Sequence, residues 1–134
     1  MQRIAAVRDE LAEVVVARHT VIAPRSDCGL IYGELGPDHV LVDEHDEPVL
    51  IDIESAMLLD VEWEHAFLEL RFGERYHRLR VPGLDERRLR LYRLATYLSL
   101  VAGPLRLLDG PFPDRAGMLG IVDSNVLRVL AGAR

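Results

Sequence analysis

Four carboxylic acids accompany two short apolar runs in the first half of the chain: Glu34 and Asp38 lie before the runs, and Asp52 and Glu54 lie at the end of the second run. The runs are rich in β-branched residues, and the five residues 43–47 between them are too charged to be buried and few enough for a hairpin turn. Carboxylate oxygens suit a hard cation, and Mg²⁺ usually takes one or two of them together with phosphate oxygens. The residues alone therefore predict a β-hairpin that carries a magnesium site.

The predicted strands of this hairpin are residues 40–42 and 49–53. Asp52 and Glu54 are two residues apart, so in regular β geometry they point to one face while the neighbouring isoleucines point to the other. Asp52 would then close a buried strand, which makes it the strongest functional candidate. Glu34 and Asp38 have an alternative role as turn residues, with Asp38 accepting local backbone hydrogen bonds.

The charge composition narrows the classes of function. All sixteen basic residues are arginine, which excludes sites built on a lysine, such as a P-loop, a Schiff base or the phosphate-contacting lysine of kinases. The formal net charge of −6 argues against sequence-independent nucleic-acid binding, because such binding depends on neutralising phosphates. We therefore expect no nucleic-acid partner.

Length and apolar content predict one soluble domain over residues 1–134. No apolar run approaches the ~20 residues of a membrane span, and charges interrupt the amino terminus where a signal peptide would be apolar. A cytoplasmic location without membrane contact is expected. Cys28 is the one cysteine, which excludes a multi-cysteine zinc site. We expect it to be a buried or half-buried small side chain rather than a nucleophile.

Helical periodicity predicts the elements on either side of the hairpin. A helix over residues 2 to about 18 has an apolar stripe formed by Ile4, Val7, Leu11, Val14 and Val15. A second helix follows the hairpin, with Asp60 as its N-cap and an end at Phe72–Gly73. Its predicted core side chains are Trp63, Phe67 and Leu70. The hairpin is thus placed between two helices.

Two further helices are predicted in the second half. Asp85 caps a helix that continues to about Val101, and Gly103–Pro104 ends or kinks it. Residues 109–113 form a turn-rich linker. The last helix spans about 114–130, and its apolar side chains are Met118, Ile121, Val122, Val126 and Val129.

Three motifs in this order resemble the aminoglycoside phosphotransferase and choline kinase-like family. The segment 32–39, Tyr-Gly-Glu-Leu-Gly-Pro-Asp-His, resembles the family's catalytic loop, His-Gly-Asp-Leu-x-x-x-Asn. Residues 51–54, Ile-Asp-Ile-Glu, are similar to its Ile-Asp-Trp/Phe-Glu/Asp motif, and residues 59–64 resemble its Gly-Asp-Pro-x-x-Asp run. The resemblance implies an α+β, mainly α fold: a protein kinase-like carboxy-terminal lobe whose short β-hairpin carries the catalytic and metal-binding motifs.

The resemblance implies a role for each matched position. Glu34 takes the place of the catalytic aspartate that orients the substrate hydroxyl. His39 and Asp52 take the places of the residues that hold Mg²⁺ and its nucleotide, and Glu54 is a further candidate metal ligand. Glu64 takes the place of the acid that ties down the catalytic loop. The other matched structural positions are Tyr32, which replaces the loop histidine, Gly33 and Asp60.

The sequence departs from the family at chemically important positions. Glutamate at 34 moves the carboxylate by one methylene, and a misplacement of ~1 Å can cost on the order of 10²-fold in rate. Histidine at 39 offers nitrogen, which suits Mg²⁺ poorly and a transition metal such as Zn²⁺ better. The motifs also lie in the first half of the chain, with one helix before them and no amino-terminal nucleotide lobe.

Two functional hypotheses follow. In the first, the chain is a phosphotransferase that moves phosphate from ATP, with Mg²⁺ or Mn²⁺, to a hydroxyl of a cationic, aminoglycoside-like small molecule, with activity weak or absent without the other lobe. In the second, it is a pseudokinase, a catalytically degenerate binding or interaction module. Under either hypothesis the face that the missing lobe would cover is apolar, which predicts a homodimer or a partner chain.

Overall fold

The computed structural model describes residues 6–132, which form four α-helices and four short strands. The helices are α1 (Arg8–Thr20), α2 (Val61–Phe72), α3 (Glu86–Leu108) and α4 (Arg115–Gly132). The predicted start of the first helix, including Ile4, lies outside the described residues. No helix among residues 6–132 is long and apolar enough to cross a membrane. The predicted mainly helical α+β fold is confirmed.

The chain divides into two compact units. One contains the described residues up to Ile22 together with those from Arg90 onwards, and the other is Ala23–Leu89. All four strands and α2 belong to the second unit. The single domain predicted for residues 1–134 stays a prediction.

The strands pair into two antiparallel two-stranded sheets. β1 (Gly29–Ile31) pairs with β4 (Met57–Leu59), with Leu30 opposite Leu58. β2 (Val40–Val42) pairs with β3 (Pro48–Leu50), with Leu41 opposite Val49. The β2–β3 pair is the predicted hairpin, whereas β4 was missed because its apolar residues run directly into the apolar start of α2.

The hairpin turn is built by its own acidic residues. The Asp43 carboxylate accepts hydrogen bonds from the backbone N–H groups of His45 (2.8 Å) and Glu47 (2.9 Å). Asp46 has a left-handed backbone, with φ of 61°, which Asp tolerates better than most residues because its short polar side chain bonds locally. The charged stretch therefore specifies the turn, as predicted.

The second strand of the hairpin is shorter than predicted. β3 ends at Leu50, Asp52 is left-handed (φ 64°, ψ 43°), and Ile53–Ser55 is a turn of 3₁₀-helix. The prediction that Asp52 and Glu54 share one face of a buried strand is therefore wrong. The strand is also not buried, since all three residues of β3 are exposed.

The first unit has a continuous apolar core. Its buried members are Leu11 of α1, Leu94 and Val101 of α3, and Val122, Val126 and Val129 of α4. The predicted stripe of α1 is confirmed, because Val7, Val14 and Val15 pack against the same core. Ile121, another of the apolar side chains of the predicted last helix, is 38% exposed.

The third helix does not end at Gly103–Pro104. It continues through Pro104 to Leu108. Proline inside a helix removes one backbone hydrogen bond and crowds the preceding turn, at a cost of about 3 kcal/mol. Leu105, which follows the proline, packs against the core of the first unit, and this apolar contact offsets the loss.

Leu94→Ala tests this core. Leu94 is 1% exposed, so its truncation leaves a cavity, and we expect the free energy of unfolding to fall by about 2–5 kcal/mol. The matched control is Leu127→Ala on α4, a leucine that is 58% exposed and whose truncation should change stability by less than about 0.5 kcal/mol. Urea unfolding followed by circular dichroism measures both. Equal effects of the two changes would contradict the assigned core.

Candidate functional site

The loop that resembles a catalytic loop is fixed at the peptide groups of Gly33. Its N–H donates to the Glu64 carboxylate (Oε2, 2.7 Å), and its carbonyl accepts from the indole N–H of Trp63 (3.0 Å). Both side chains come from the first turn of α2. Gly33 has φ of 101°, and a Cβ there would lie 2.8 Å from the Ser55 carbonyl oxygen, so only glycine fits. The contact that the resemblance implies for Glu64 is therefore present.

Tyr32 connects this loop to the end of the hairpin. Its hydroxyl donates to the carbonyl oxygens of Ile51 and Asp52, the latter at 2.9 Å. These bonds lie next to the left-handed backbone of Asp52, a conformation that costs energy for a residue other than glycine and persists only where its surroundings hold it. Tyr32 thus helps to fix the direction of Asp52, whose side chain is exposed.

The other two acids near the loop have different partners. The Glu34 carboxylate is exposed and accepts a hydrogen bond from the Ser55 hydroxyl (3.0 Å). Asp38 accepts from the Arg71 guanidinium of α2, and this hydrogen bond is the main cause that lowers the pKa of the Asp38 carboxyl. Asp38 is therefore ion-paired with α2, whereas the Glu34 carboxylate stays exposed and is bonded to Ser55.

The ring of His39 is packed against the loop and is mostly buried. Its ring stacks on Tyr32, with centroids 5.4 Å apart. Its Nδ1 atom is buried and has no hydrogen-bond partner among residues 6–132, while Nε2 lies 3.9 Å from Asp38. The residue predicted as a metal ligand is thus placed as a packed side chain beside Tyr32.

The pKa of the Tyr32 hydroxyl is raised by its surroundings. Partial desolvation is the first cause that raises its pKa, and the negative charges of Asp52, Glu34, Glu54 and Asp38 raise it further. The charges of the four acids singled out in the sequence thus make the surroundings of the Tyr32 hydroxyl negative. A centre of this sign attracts cations and disfavours an unaccompanied anion.

The described acids and histidines do not form a complete metal site by themselves. Within residues 6–132, no group of three or more His, Cys, Asp or Glu side chains could hold an ion. Asp52 offers an exposed carboxylate, whereas the ring of His39 is mostly buried. Mg²⁺ commonly binds through one or two carboxylates with nucleotide phosphates supplying other ligands. Of these two residues, only Asp52 offers a carboxylate that a metal ion from solution could reach.

A buried ion-pair network supports the loop, and sequence reasoning missed it. Arg25 makes two hydrogen bonds to Glu62 (2.7 and 3.0 Å), and the same carboxylate accepts from the backbone N–H of Asp85 (2.9 Å). Glu62 is fully buried. Burial would raise the pKa of Glu62, but the hydrogen bonds from Arg25 and from Asp85 outweigh it and lower the pKa.

The second half of the network involves Asp60 and Arg88. Asp60 is at the N-cap position of α2 but makes no side-chain capping hydrogen bond; it pairs with the buried Arg88. Asp60 is thus the N-cap residue by position, as predicted, but its carboxylate pairs with Arg88 instead of capping the helix. Asp85 does cap α3 by accepting from the N–H groups of Arg87 and Arg88. Arg88 also donates a hydrogen bond to the Ala23 carbonyl. The network therefore connects the segment before β1 to the start of α2.

The core of α2 also differs from the prediction. Trp63, Phe67 and Leu70 are half-buried, whereas the buried residues are Glu62, His65, Ala66 and Leu68. The apolar periodicity of the sequence did not identify this face because its most buried residue, Glu62, is charged.

Cys28 is exposed, contrary to the expectation of a buried side chain. It lines an open pocket of about 390 Å³ together with Arg25, Asp27, Glu62 and Gly83. The loop that carries it, residues 23–28, is anchored by its arginine rather than by apolar contacts, so its cysteine is left at the surface.

Glu62→Gln tests the network. The change leaves Arg25 without its main counter-charge beside a buried position, and we expect a loss of stability on the order of 3 kcal/mol. Because the folded-state pKa of Glu62 is below the ordinary 4.5, its contribution is complete above about pH 5 and is lost as pH falls below 4.5 towards the folded-state pKa. Urea midpoints from pH 3 to pH 7 measure both.

The matched control is Glu86→Gln, which removes the carboxylate that pairs with Arg80 at the surface. Exposed ion pairs contribute little, so this variant should unfold like the parent protein. If Glu62→Gln costs no more than Glu86→Gln at pH 7, the network does not support the fold.

Tyr32→Phe tests the link between the loop and Asp52. Losing the hydroxyl removes both hydrogen bonds to the hairpin exit, so amide hydrogen exchange over residues 51–56 should become several-fold faster, while the β2–β3 hairpin keeps its protection. The control is Tyr97→Phe in the other unit, which keeps the ring that lies under Arg128. Unchanged exchange at residues 51–56 would show that the hydroxyl does not hold this turn. Mass spectrometry of proteolytic fragments gives the readout.

Two solved structures are similar to this chain in fold. Spectinomycin phosphotransferase APH(9)-Ia, in complex with ADP and spectinomycin, aligns with 98% of the chain and 46% of its own, with a TM-score of 0.67 and 17% sequence identity. A thermostable mutant of aminoglycoside phosphotransferase APH(4)-Ia, in its apo form, aligns with 96% and 45%, with a TM-score of 0.63 and 24% identity. No family model and no curated protein matches the sequence.

The chain therefore spans less than half of the length of either matched structure. The expected fold is confirmed at this level. The chain has the fold of the carboxy-terminal lobe of kinase-like aminoglycoside phosphotransferases.

Proposed function

We propose that this chain supplies the catalytic and acceptor-binding half of a phosphotransferase, which moves phosphate from ATP to a hydroxyl of a cationic small molecule. The observation that carries the proposal is the loop fixed by Glu64 and Trp63. It presents the Glu34 carboxylate, which is bonded to Ser55, and its Tyr32 is bonded to the backbone of the exposed Asp52. Phosphoryl transfer depends mostly on positioning and charge stabilisation. The fixed loop supports positioning, and the stabilising charge would come from the ion that accompanies the nucleotide.

The residues have separate roles in this proposal. The Glu34 carboxylate, oriented by the Ser55 hydroxyl, accepts a hydrogen bond from the acceptor hydroxyl and so directs its oxygen towards the transferred phosphate. Asp52 would hold the ion that accompanies the nucleotide, and Glu54 follows it two residues later in the chain. Magnesium bound there neutralises charge on the phosphates. The negative field favours an acceptor with amino groups, as in aminoglycosides.

Low turnover by the isolated chain is part of the proposal. The Glu34 side chain is one methylene longer than the aspartate of the family motif, and in the described part of the chain the side chains of Glu34 and Asp52 are exposed to water. Exclusion of water strengthens the interactions on which this chemistry depends. We propose that a partner chain completes the site.

A second candidate is a binding module without catalysis. The observation that favours it is the position of His39, whose ring packs on Tyr32 with Nδ1 buried, where the family motif has an asparagine that holds the ion. In this case the acidic centre would bind a cationic small molecule without a nucleotide.

Nucleotide binding separates the two candidates. Titration calorimetry of the chain with ATP and Mg²⁺, repeated with Mn²⁺, should show metal-dependent binding that Asp52→Asn abolishes, because the change removes the exposed carboxylate that holds the ion. The control is Asp46→Asn, which alters another exposed, left-handed aspartate of the same hairpin and should leave binding unchanged.

The outcomes point in different directions. No heat from ATP under either metal, with heat from a cationic aminoglycoside, would replace the phosphotransferase proposal with the binding module. Equal loss of binding in Asp46→Asn and Asp52→Asn would show that general negative charge, and not the position of Asp52, is responsible.

A further inference from the structure

Three contacts connect Tyr32, His39 and the exit of the hairpin in a closed cycle. The ring of His39 stacks on the ring of Tyr32, with centroids 5.4 Å apart and an angle of 23° between the planes. The Tyr32 hydroxyl donates to the carbonyl oxygens of Ile51 and Asp52. The N–H of Ile51 in turn donates to the carbonyl oxygen of His39 at 3.1 Å. All four residues belong to the unit Ala23–Leu89, so the geometry of the cycle is set within that unit.

The Tyr32 hydroxyl stays on these two carbonyl oxygens only while its ring keeps one orientation, because a tyrosine side chain can rotate about two bonds. His39 offers a flat face that restricts this rotation, and stacked rings attract one another. The side chain of His39 is 18% exposed. A contact that is already buried stays buried when another part of a protein covers its surroundings, so the stack does not depend on an open surface.

Neither ring nitrogen of His39 is arranged as a metal ligand. Nδ1 is buried and has no hydrogen-bond partner among residues 6–132, which takes it out of reach of an ion at the exposed Asp52. Nε2 lies 3.9 Å from the carboxylate of Asp38, which pairs with Arg71. A histidine that binds metal through one nitrogen almost always donates a hydrogen bond from the other, and Nδ1 has no acceptor here. The part of His39 that is used is therefore the face of its ring.

We propose that His39 is a positioning residue: its ring holds Tyr32, and Tyr32 holds the left-handed backbone of Asp52, the residue that receives the ion. The inference rests on the proposed function for the role of Asp52, whereas the link from His39 to residues 51–56 does not. It also explains why two departures from the family motif occur together. An asparagine at position 39 offers no ring on which the tyrosine at position 32 could stack.

Amide hydrogen exchange of the full chain tests the link. His39→Ala removes the ring but keeps the carbonyl that accepts from Ile51, and exchange over residues 51–56 should become about 2- to 10-fold faster, the range expected when one ring pair is lost. His39→Phe keeps a ring without nitrogens and should exchange like the parent protein. The segment around Gly33, which is bonded to Glu64, should keep its protection in both variants. Mass spectrometry of proteolytic fragments gives the readout.

A double-mutant cycle tests whether His39 acts through Tyr32. Tyr32→Phe keeps the ring but removes the hydroxyl, so in this background His39→Ala should cause no further acceleration over residues 51–56. Additive effects, or no effect of His39→Ala in the parent protein, would overturn the proposal. The control is His45→Ala, which removes a histidine of the same hairpin that is 76% exposed and should change nothing at residues 51–56. If circular dichroism shows that His39→Ala does not fold, His39→Leu, which fills the space without a flat ring, replaces it.

Titration calorimetry with ATP and Mg²⁺ separates positioning from metal ligation. His39→Phe has no nitrogen for a metal and should bind like the parent protein, whereas His39→Ala should bind several-fold more weakly because Asp52 is less well fixed. Loss of binding in His39→Phe with normal exchange over residues 51–56 would make His39 a ligand and overturn the proposal. Tighter binding with Zn²⁺ than with Mg²⁺ that His39→Phe removes would do the same. If the parent protein binds no nucleotide, the proposed function fails, and the exchange data decide the role of His39.

Discussion

The peptide groups of Gly33 are the point on which the candidate site depends. Glu64 accepts a hydrogen bond from its N–H, and Trp63 donates one to its carbonyl. The first turn of α2 therefore fixes the position and the orientation of the loop. Hydrogen bonds to an ionised carboxylate are stronger than those between neutral groups. The position of α2 is in turn fixed by the buried pairs of Glu62 with Arg25 and of Asp60 with Arg88, and the exposed acids take their places from this frame.

A second constraint directs the acids towards one another. Asp52 has a left-handed backbone and is bonded through its carbonyl to Tyr32, which follows directly after β1. This bond connects the end of the hairpin to the loop before it, although nineteen residues separate the bonded groups of Tyr32 and Ile51. Local strain of this kind is common at functional sites because it fixes a side chain in a direction that a regular strand would not give.

The sequence predicted the helices, the hairpin turn and the order of the motifs, because apolar periodicity and turn chemistry act over a few residues. It did not predict that Asp52 leaves the strand, since the cause is the hydroxyl of Tyr32 twenty residues earlier. It missed Glu62 and Arg88 as buried residues because charged side chains were assigned to solvent. Their burial depends on pairing between segments that are distant in sequence, which no local pattern records.

The atoms that hold the loop in place belong to the backbone, whereas the groups that could take part in chemistry are side chains. Gly33 is held through its backbone, and Asp52 is directed through its own carbonyl, so the side chains at 34 and 39 can change without releasing the loop. Tyr32, in the place of the family's histidine, retains a donor to the hairpin exit. The side chains that could do chemistry can therefore change while the fold is kept, and similarity of fold alone does not distinguish transfer from binding. Metal-dependent nucleotide binding that requires Asp52, as proposed, would distinguish them.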